Sequence, residues 1–194
     1  MNDTRQRLVT VSADLFQRQG LTGTGIKQIL SESNARFSSL YHHFPGGKDE
    51  LAAEVVRISG ARYQELVEAV WDSAPDVIQS VTEVFDGAAK TLEATDFAVA
   101  CPIATVALEV ASTNDGLREV TAEVFSAWIS SGTKRLVVAG MDPQKARCVA
   151  LCLISLLEGA FMLCQAAKST EPMIAASSAA VMIVNDALPT EGRA

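Results

Sequence analysis

With 194 residues, 48% of them hydrophobic and 20% charged, the chain is long and apolar enough to build a real core, which excludes disorder as its main state. Its net charge of −7 argues at first against a nucleic-acid partner. The charge is unevenly spread, however: residues 1–50 hold six Lys/Arg against five Asp/Glu and both histidines, whereas residues 51–194 hold ten Lys/Arg against 18. A phosphate contact depends on that local balance, because more distant charges are screened beyond about 10 Å at 0.1 M salt.

No stretch of useful length alternates polar and apolar residues or clusters Val, Ile, Thr and Tyr as strands do, so an all-α fold is expected. The first helix is predicted over 4–19, with Leu8, Val11, Leu15 and Phe16 forming one apolar stripe and Gly20 the stop. Arg5 and Arg7 in its first turn are open to two readings, phosphate contact or solvated surface. Thr24 is the expected N-cap of a second helix reaching Glu32, with Ile26, Ile29 and Leu30 inward and Lys27 projecting outward. Asn34 falls where the following turn needs left-handed backbone.

A third helix is expected over 37–44. At about 100° per residue, Leu40 and Phe44 lie together, flanked by Phe37 and Tyr41 on one side and His43 on the other. Ser38, Ser39 and His42 form the opposite face, which is small, polar and suited to close approach to base edges. Two short helices with a tight turn between them are the layout that holds a second helix out into a DNA groove. Pro45-Gly46-Gly47 ends this segment and Lys48 opens a long helix over 48–73. A cation is poorly placed there for the helix dipole, and a bound phosphate would explain it.

From these residues the run SLYHHFPGGKDEL (39–51) resembles the head of the TetR family of bacterial transcriptional regulators, and CPIATVALEV (101–110) resembles the start of the C-terminal domain of its LmrA/YxaF-type subgroup. The resemblance implies a homodimer with two helix-turn-helix heads, a small-molecule effector pocket in each body, and repression relieved by that effector. It implies DNA contacts at Thr24, Lys27, Ser38, Ser39, Tyr41, His42, His43 and Lys48. Two positions depart from the pattern: Arg36 stands where the family usually has a capping Ser or Thr, and Phe37 where Lys, Arg or Pro is common. Both join the expected DNA-binding set, Arg36 as a candidate reader of guanine.

The expected organisation is a head over 1–47, a ligand-binding and dimerisation domain over 48–188, and a flexible tail over 189–194. After the helix at 48–73 come helices near 76–93, 103–112, 115–138, 143–167 and 172–188, about nine in all, with breaks at Pro75, Pro102, Asn114-Asp115-Gly116, Pro143 and Pro172. Residues 148–167 carry one charge, Glu158, in 20 positions. That length admits a membrane span, but a mid-length carboxylate and scattered Cys, Ser and Gln favour a helix with its own core on one side and a partner chain on the other. With the small-residue helix that follows, it is expected to form a four-helix homodimer interface and no membrane contact.

Expected effector-pocket residues are Phe85, Phe97, Cys101, Thr105, Phe125, Trp128, Glu158, Phe161, Met162 and Gln165, although aromatics and Met at helical spacing are more often plain core. Trp71 and Tyr63 on the fourth helix are candidate couplers of pocket to head. The four cysteines match no zinc spacing and read as buried, reduced thiols of a cytoplasmic protein. The N-terminal residues show no apolar signal core. No metal, cofactor or catalytic set is expected, since the adjacent His42 and His43 diverge on a helix and no phosphate loop or nucleophile elbow appears. The alternative function is a helical small-molecule-binding protein without operator-specific DNA binding; a membrane-associated protein ranks behind it.

Overall fold

The computed structural model of the chain describes residues 2–99 and 101–189, and among them there are nine helices and no strand. They are α1 (Asn2–Gly23), α2 (Ile26–Glu32), α3 (Phe37–His43), α4 (Lys48–Ser73), α5 (Val77–Ala94), α6 (Pro102–Val110), α7 (Asp115–Val138), α8 (Pro143–Ala167) and α9 (Glu171–Ala187). The all-α expectation therefore holds, helix by helix, with ends shifted by a few residues. The expected tail lies, from residue 190 onward, outside the described residues.

The chain groups into two compact units, Met1–Arg62 with Cys101–Val124, and Tyr63–Ala100 with Phe125–Ala194. In the first unit α1, α2 and α3 bury Leu8, Phe16, Ile29, Leu40 and Phe44, and the start of α4 buries Leu51 and Val55. Here α6 packs on α1 and buries Ile103 and Val106. Gly60 lets α4 and α7 approach closely, since a Cβ there would lie 2.4 Å from a methyl of Val124.

In the second unit α9 packs against both α5 and α8. Phe85, Leu92, Leu136, Met141, Met173 and Val184 form the buried centre, with Ala146, Ala150, Ala160, Ala176 and Ala180 letting the helices close up. Prolines and carboxylates fix the helix starts: the Asp142 side chain accepts from the amides of Gln144 and Lys145 at 3.0 and 3.1 Å beside Pro143, and Asp76 accepts from Gln79 at 2.8 Å.

One expectation about burial is corrected. Of the four free cysteines, Cys101 and Cys164 are buried, but Cys148 is exposed and Cys152 only half-buried, because both lie toward the outer side of α8. Helix α8 is long and apolar enough to cross a membrane by length and composition, and 22% of its most apolar stretch is buried within the single chain. Leu151, Met162 and Leu163 stand out from α8, and Ile174 and Met182 from α9.

Candidate nucleic-acid interface

The turn between α2 and α3 forms as its residues dictate. Asn34 adopts φ 49°, and the amides of Asn34 and Ala35 donate to the carbonyls of Ser31 and Leu30. Arg7 of α1 donates from Nε to the Ser33 carbonyl at 2.9 Å, fixing that turn to the first helix. Arg5 pairs with Glu54 at 2.5 Å and lies over the Phe44 ring. Both arginines therefore cross-link the head.

On α3, Leu40 is buried, and Phe44 just beyond it closes the same side. Ser38 and His42 are exposed, Ser39 and His43 are half-exposed, and the two imidazoles meet edge to edge at 5.0 Å. Phe37 and Tyr41 are exposed side by side, their rings 4.9 Å apart. Arg36 holds the N-cap position with extended backbone and no side-chain cap, so its exposed guanidinium is not spent on the helix. Lys27 is exposed on α2.

Two of the expected contacts sit differently. Thr24 is not the N-cap of α2; Gly25 is, and it supplies no side-chain bond. The Thr24 hydroxyl is buried, donates to the Gly20 carbonyl at 2.6 Å and lies 3.2 Å from the Gln19 amide, so this side chain faces inward instead of toward a ligand. Lys48 does not need an anion to explain its place at the start of α4: its ammonium donates to the Leu21 carbonyl at 2.6 Å. The helix dipole is served there by Asp49 and Glu50, and the Glu50 carboxylate accepts from the Gly46 amide at 2.7 Å.

Glu109 was not foreseen as part of the head. Its carboxylate, in the last turn of α6, accepts from the amides of Leu21 and Thr22 at 3.0 and 2.5 Å. Gly20 makes room for it, with φ 75° and ψ 172° and a would-be Cβ only 2.0 Å from Oε1. An acidic residue at a helix C-terminus is unfavourable for the dipole, and that misplaced charge was the available signal.

The chain matches the sequence profile described as bacterial regulatory proteins, tetR family, over residues 8–55. It also matches the profile described as transcriptional regulator LmrA/YxaF-like, C-terminal domain, over residues 77–179. The chain belongs to the TetR family. Similar curated proteins include the uncharacterized HTH-type transcriptional regulator YxaF of Bacillus subtilis, 31% identical over 89% of this chain and 90% of its own. Another is HTH-type transcriptional regulator LmrA of the same organism, 30% identical over 91% and 94%. Among solved structures, a TetR-family transcriptional regulator from Cytophaga hutchinsonii superposes with a TM-score of 0.83 at 19% identity, covering 95% of this chain and 94% of that one. This TetR-family chain is thus a DNA-binding transcriptional regulator whose α2–turn–α3 segment is the helix-turn-helix.

The ten residues expected to line an effector pocket do not form one group. Phe85 is core of the second unit, with Phe97 and Phe161 packed against that core. Gln165 of α8 donates to the Phe97 carbonyl at 3.2 Å, and Lys168 sits over the Phe97 ring. Phe125 and Trp128 meet edge to face at 5.6 Å, with Tyr63 against the same indole. Cys101 and Thr105 belong to α6 in the first unit, where the thiol caps the helix by accepting from Ala104 and the Thr105 hydroxyl donates to the Cys101 carbonyl. Glu158 is half-buried. Met162 is corrected: at 63% exposure it points out of the unit, because the inward side of α8 is taken by Ala160 and Cys164.

An open groove of about 420 Å³ in the second unit was also missed. It is lined by Glu68, Trp71, Asp72, Ser131, Lys134, Arg135 and Val138. Arg135 pairs with Asp72, and the Ser131 hydroxyl donates to Glu68 at 2.5 Å. Hydrogen bonds from Ser131 and then Gln64 hold the Glu68 carboxyl below its usual range, and that from Arg135 does the same for Asp72.

Proposed function

We propose that this TetR-family regulator is a cytoplasmic repressor that binds operator DNA as a homodimer and is released by a small, largely apolar effector. The observation that carries the reading is the outer face of α3: Ser38 and His42 are exposed while Leu40 anchors the opposite side. Hydroxyls and imidazoles both donate and accept hydrogen bonds, which suits them to base edges in the major groove. Arg36, Phe37, Ser39, Tyr41 and His43 share that helix or its cap, and Lys27 and Lys48 supply cations beside it for phosphates.

Support for a homodimer comes from the exposed apolar side chains of α8 and α9, Leu151, Met162, Leu163, Ile174 and Met182, which a second copy would cover. Two heads then meet half-sites about one helical turn, roughly 34 Å, or a multiple of it apart. For the effector, Phe97, Phe161 and Gln165 remain a coherent group, and a ligand that favours one body conformation shifts the operator-competent population.

The test is selection of duplexes from a randomised pool by the full-length protein, followed by gel shifts of the enriched duplex with Ser38→Ala and His42→Ala and with a panel of apolar compounds. Both variants are expected to relax discrimination among related duplexes more than they lower overall affinity. Failure to enrich any duplex overturns the operator-binding reading in favour of a helical small-molecule-binding protein. Enrichment with no compound causing release removes the effector alone.

A further inference from the structure

The third helix carries an aromatic pair that its fold does not use. Phe37 is 62% exposed although it opens α3, and Tyr41, one turn on, is 40% exposed. The pair is held in place: the rings are 4.9 Å apart with planes inclined at 44°, and the Tyr41 ring lies on the Gly47 turn. Gly47 has φ 70°, and a Cβ there would approach Tyr41 Cε1 to 3.3 Å, so the absence of a side chain gives the ring its seat. Phe37 is thus a rigid apolar prominence braced from behind.

Its position relative to the polar face is what gives it meaning. At about 100° per residue, Phe37 and Tyr41 form a stripe between the buried Leu40 and Phe44 on one side and the exposed Ser38 and His42 on the other. The N-terminal residues of a helix seated in the major groove are the ones that meet base edges, so with Ser38 and His42 toward those edges the exposed Phe37 ring, at the first position of α3, meets the edges on its flank. Base edges there present hydrogen-bonding groups with one apolar exception, the C5-methyl of thymine. A phenyl ring can gain nothing from an unpaired donor or acceptor, and it leaves that group without water.

We infer that Phe37 is a specificity-determining residue that reads a thymine C5-methyl in each half-site. This rests on the operator-binding reading above and names one base feature the operator must contain. Tyr41 is the positioning residue, holding the ring in its orientation through the Gly47 seat.

The experiment uses the full-length protein and a duplex enriched from a randomised pool, resynthesised with each thymine in turn replaced by deoxyuridine. That replacement removes the methyl and leaves the hydrogen-bonding edges unchanged. The expected result is one thymine per half-site whose methyl loss weakens the wild-type protein about three- to fivefold, the worth of one buried methyl group. Phe37→Ala binds the thymine and uracil duplexes equally, and Phe37→Leu keeps part of the difference. The inference is overturned if no uracil position distinguishes wild type from Phe37→Ala. It is equally overturned if Phe37→Ala weakens all duplexes alike with thymine sensitivity intact, or changes only the mass of the particle. A pool from which nothing enriches defeats the operator-binding reading itself and this assignment with it, an outcome distinct from enrichment without methyl dependence.

Discussion

Removing the Glu109 carboxylate should loosen the end of α1, and the size of the effect follows from its two bonds. The amide of Leu21 is part of a buried residue, so losing its acceptor at 3.0 Å leaves a donor that water does not reach; Thr22 is exposed and its amide rehydrates. Counting one charge-assisted bond in full and the other as largely replaced gives about 2 kcal/mol for Glu109→Ala and roughly half that for Glu109→Gln, which keeps a neutral acceptor. Gly20→Ala should cost more. Its φ of 75° and ψ of 172° fall in a region that essentially only glycine occupies, worth about 1–3 kcal/mol, and its Cβ also evicts the carboxylate from 2.0 Å away. The total is about 4 kcal/mol, of which about 2 disappears when Glu109 is already alanine. Urea unfolding of the four proteins of this double-mutant cycle, at one fixed protein concentration because subunit association adds to stability, measures the coupling. A coupling within about 0.5 kcal/mol of zero refutes the claim that Gly20 exists to admit Glu109.

Lys48→Ala should weaken binding to every duplex alike and flatten the dependence of log affinity on log salt by about one for each subunit's lost phosphate contact; an unchanged slope assigns Lys48 wholly to the Leu21 carbonyl. Ile174→Glu or Met182→Glu should convert the proposed dimer to monomers in analytical ultracentrifugation, since each places a charge where burial of the apolar chain is worth about 1.5–3 kcal/mol; an unaltered mass refutes this face. Hydrogen bonds from Ser131 and Gln64 hold the Glu68 carboxyl below the ordinary carboxylate range, so its contribution to stability is present above the unfolded carboxyl pKa and is lost as pH falls through the folded one. Ser131→Ala should therefore raise the Glu68 pKa in an NMR titration and shrink the stability gained on going from about pH 3 to about pH 6.

What the sequence made legible was whatever is decided within one or two turns of chain. Asn34 in left-handed backbone, the break at Gly20, the starts at Asp76, Pro102 and Pro143, and the buried side of α3 under Leu40 depend on spacing and on single-residue conformational preference. Contacts across long stretches of chain were not legible. Lys48 and Glu109 each stood at the wrong end of a helix for its charge; Lys48 invited a local explanation, a bound phosphate, and Glu109 drew none. The structure brings them together on one peptide segment: Lys48 takes the carbonyl of Leu21, and Glu109 takes the amides of Leu21 and Thr22. Separations of 27 residues for Lys48 and 88 for Glu109 from Leu21 carry no periodic signal, so neither charge could name its partner. The effector group failed for a related reason. Aromatic and Met residues at helical spacing mark an apolar stripe without saying which neighbour faces it, and Met162 turned outward while Cys101 became a cap.

The outward stripe of α8 also bears on what covers it. Leu151 and Met162 are 11 positions apart, so at about 100° per residue they fall nearly in line. Ser155 and Glu158 lie between them within about 40° of the same line. Lipid would meet a hydroxyl and a carboxylate in the middle of such a stripe, at a cost of about 2.5–3.5 kcal/mol for an acidic residue at the centre of a span. A second copy of the same helix, as in the proposed homodimer, would meet them with its own polar and small residues, while Leu151, Met162 and Leu163 would supply the apolar area. The neighbouring α9 extends that area through Ile174 and Met182, and its inward side is already committed to α5 and α8 through Met173, Ala176, Ala180 and Val184. A membrane-spanning α8 would have to leave those contacts or carry α5 and α9 with it, and α5 has Glu83, Asp86, Lys90 and Glu93 along its length. The charges on that neighbour, more than the composition of α8 itself, favour a protein partner over lipid.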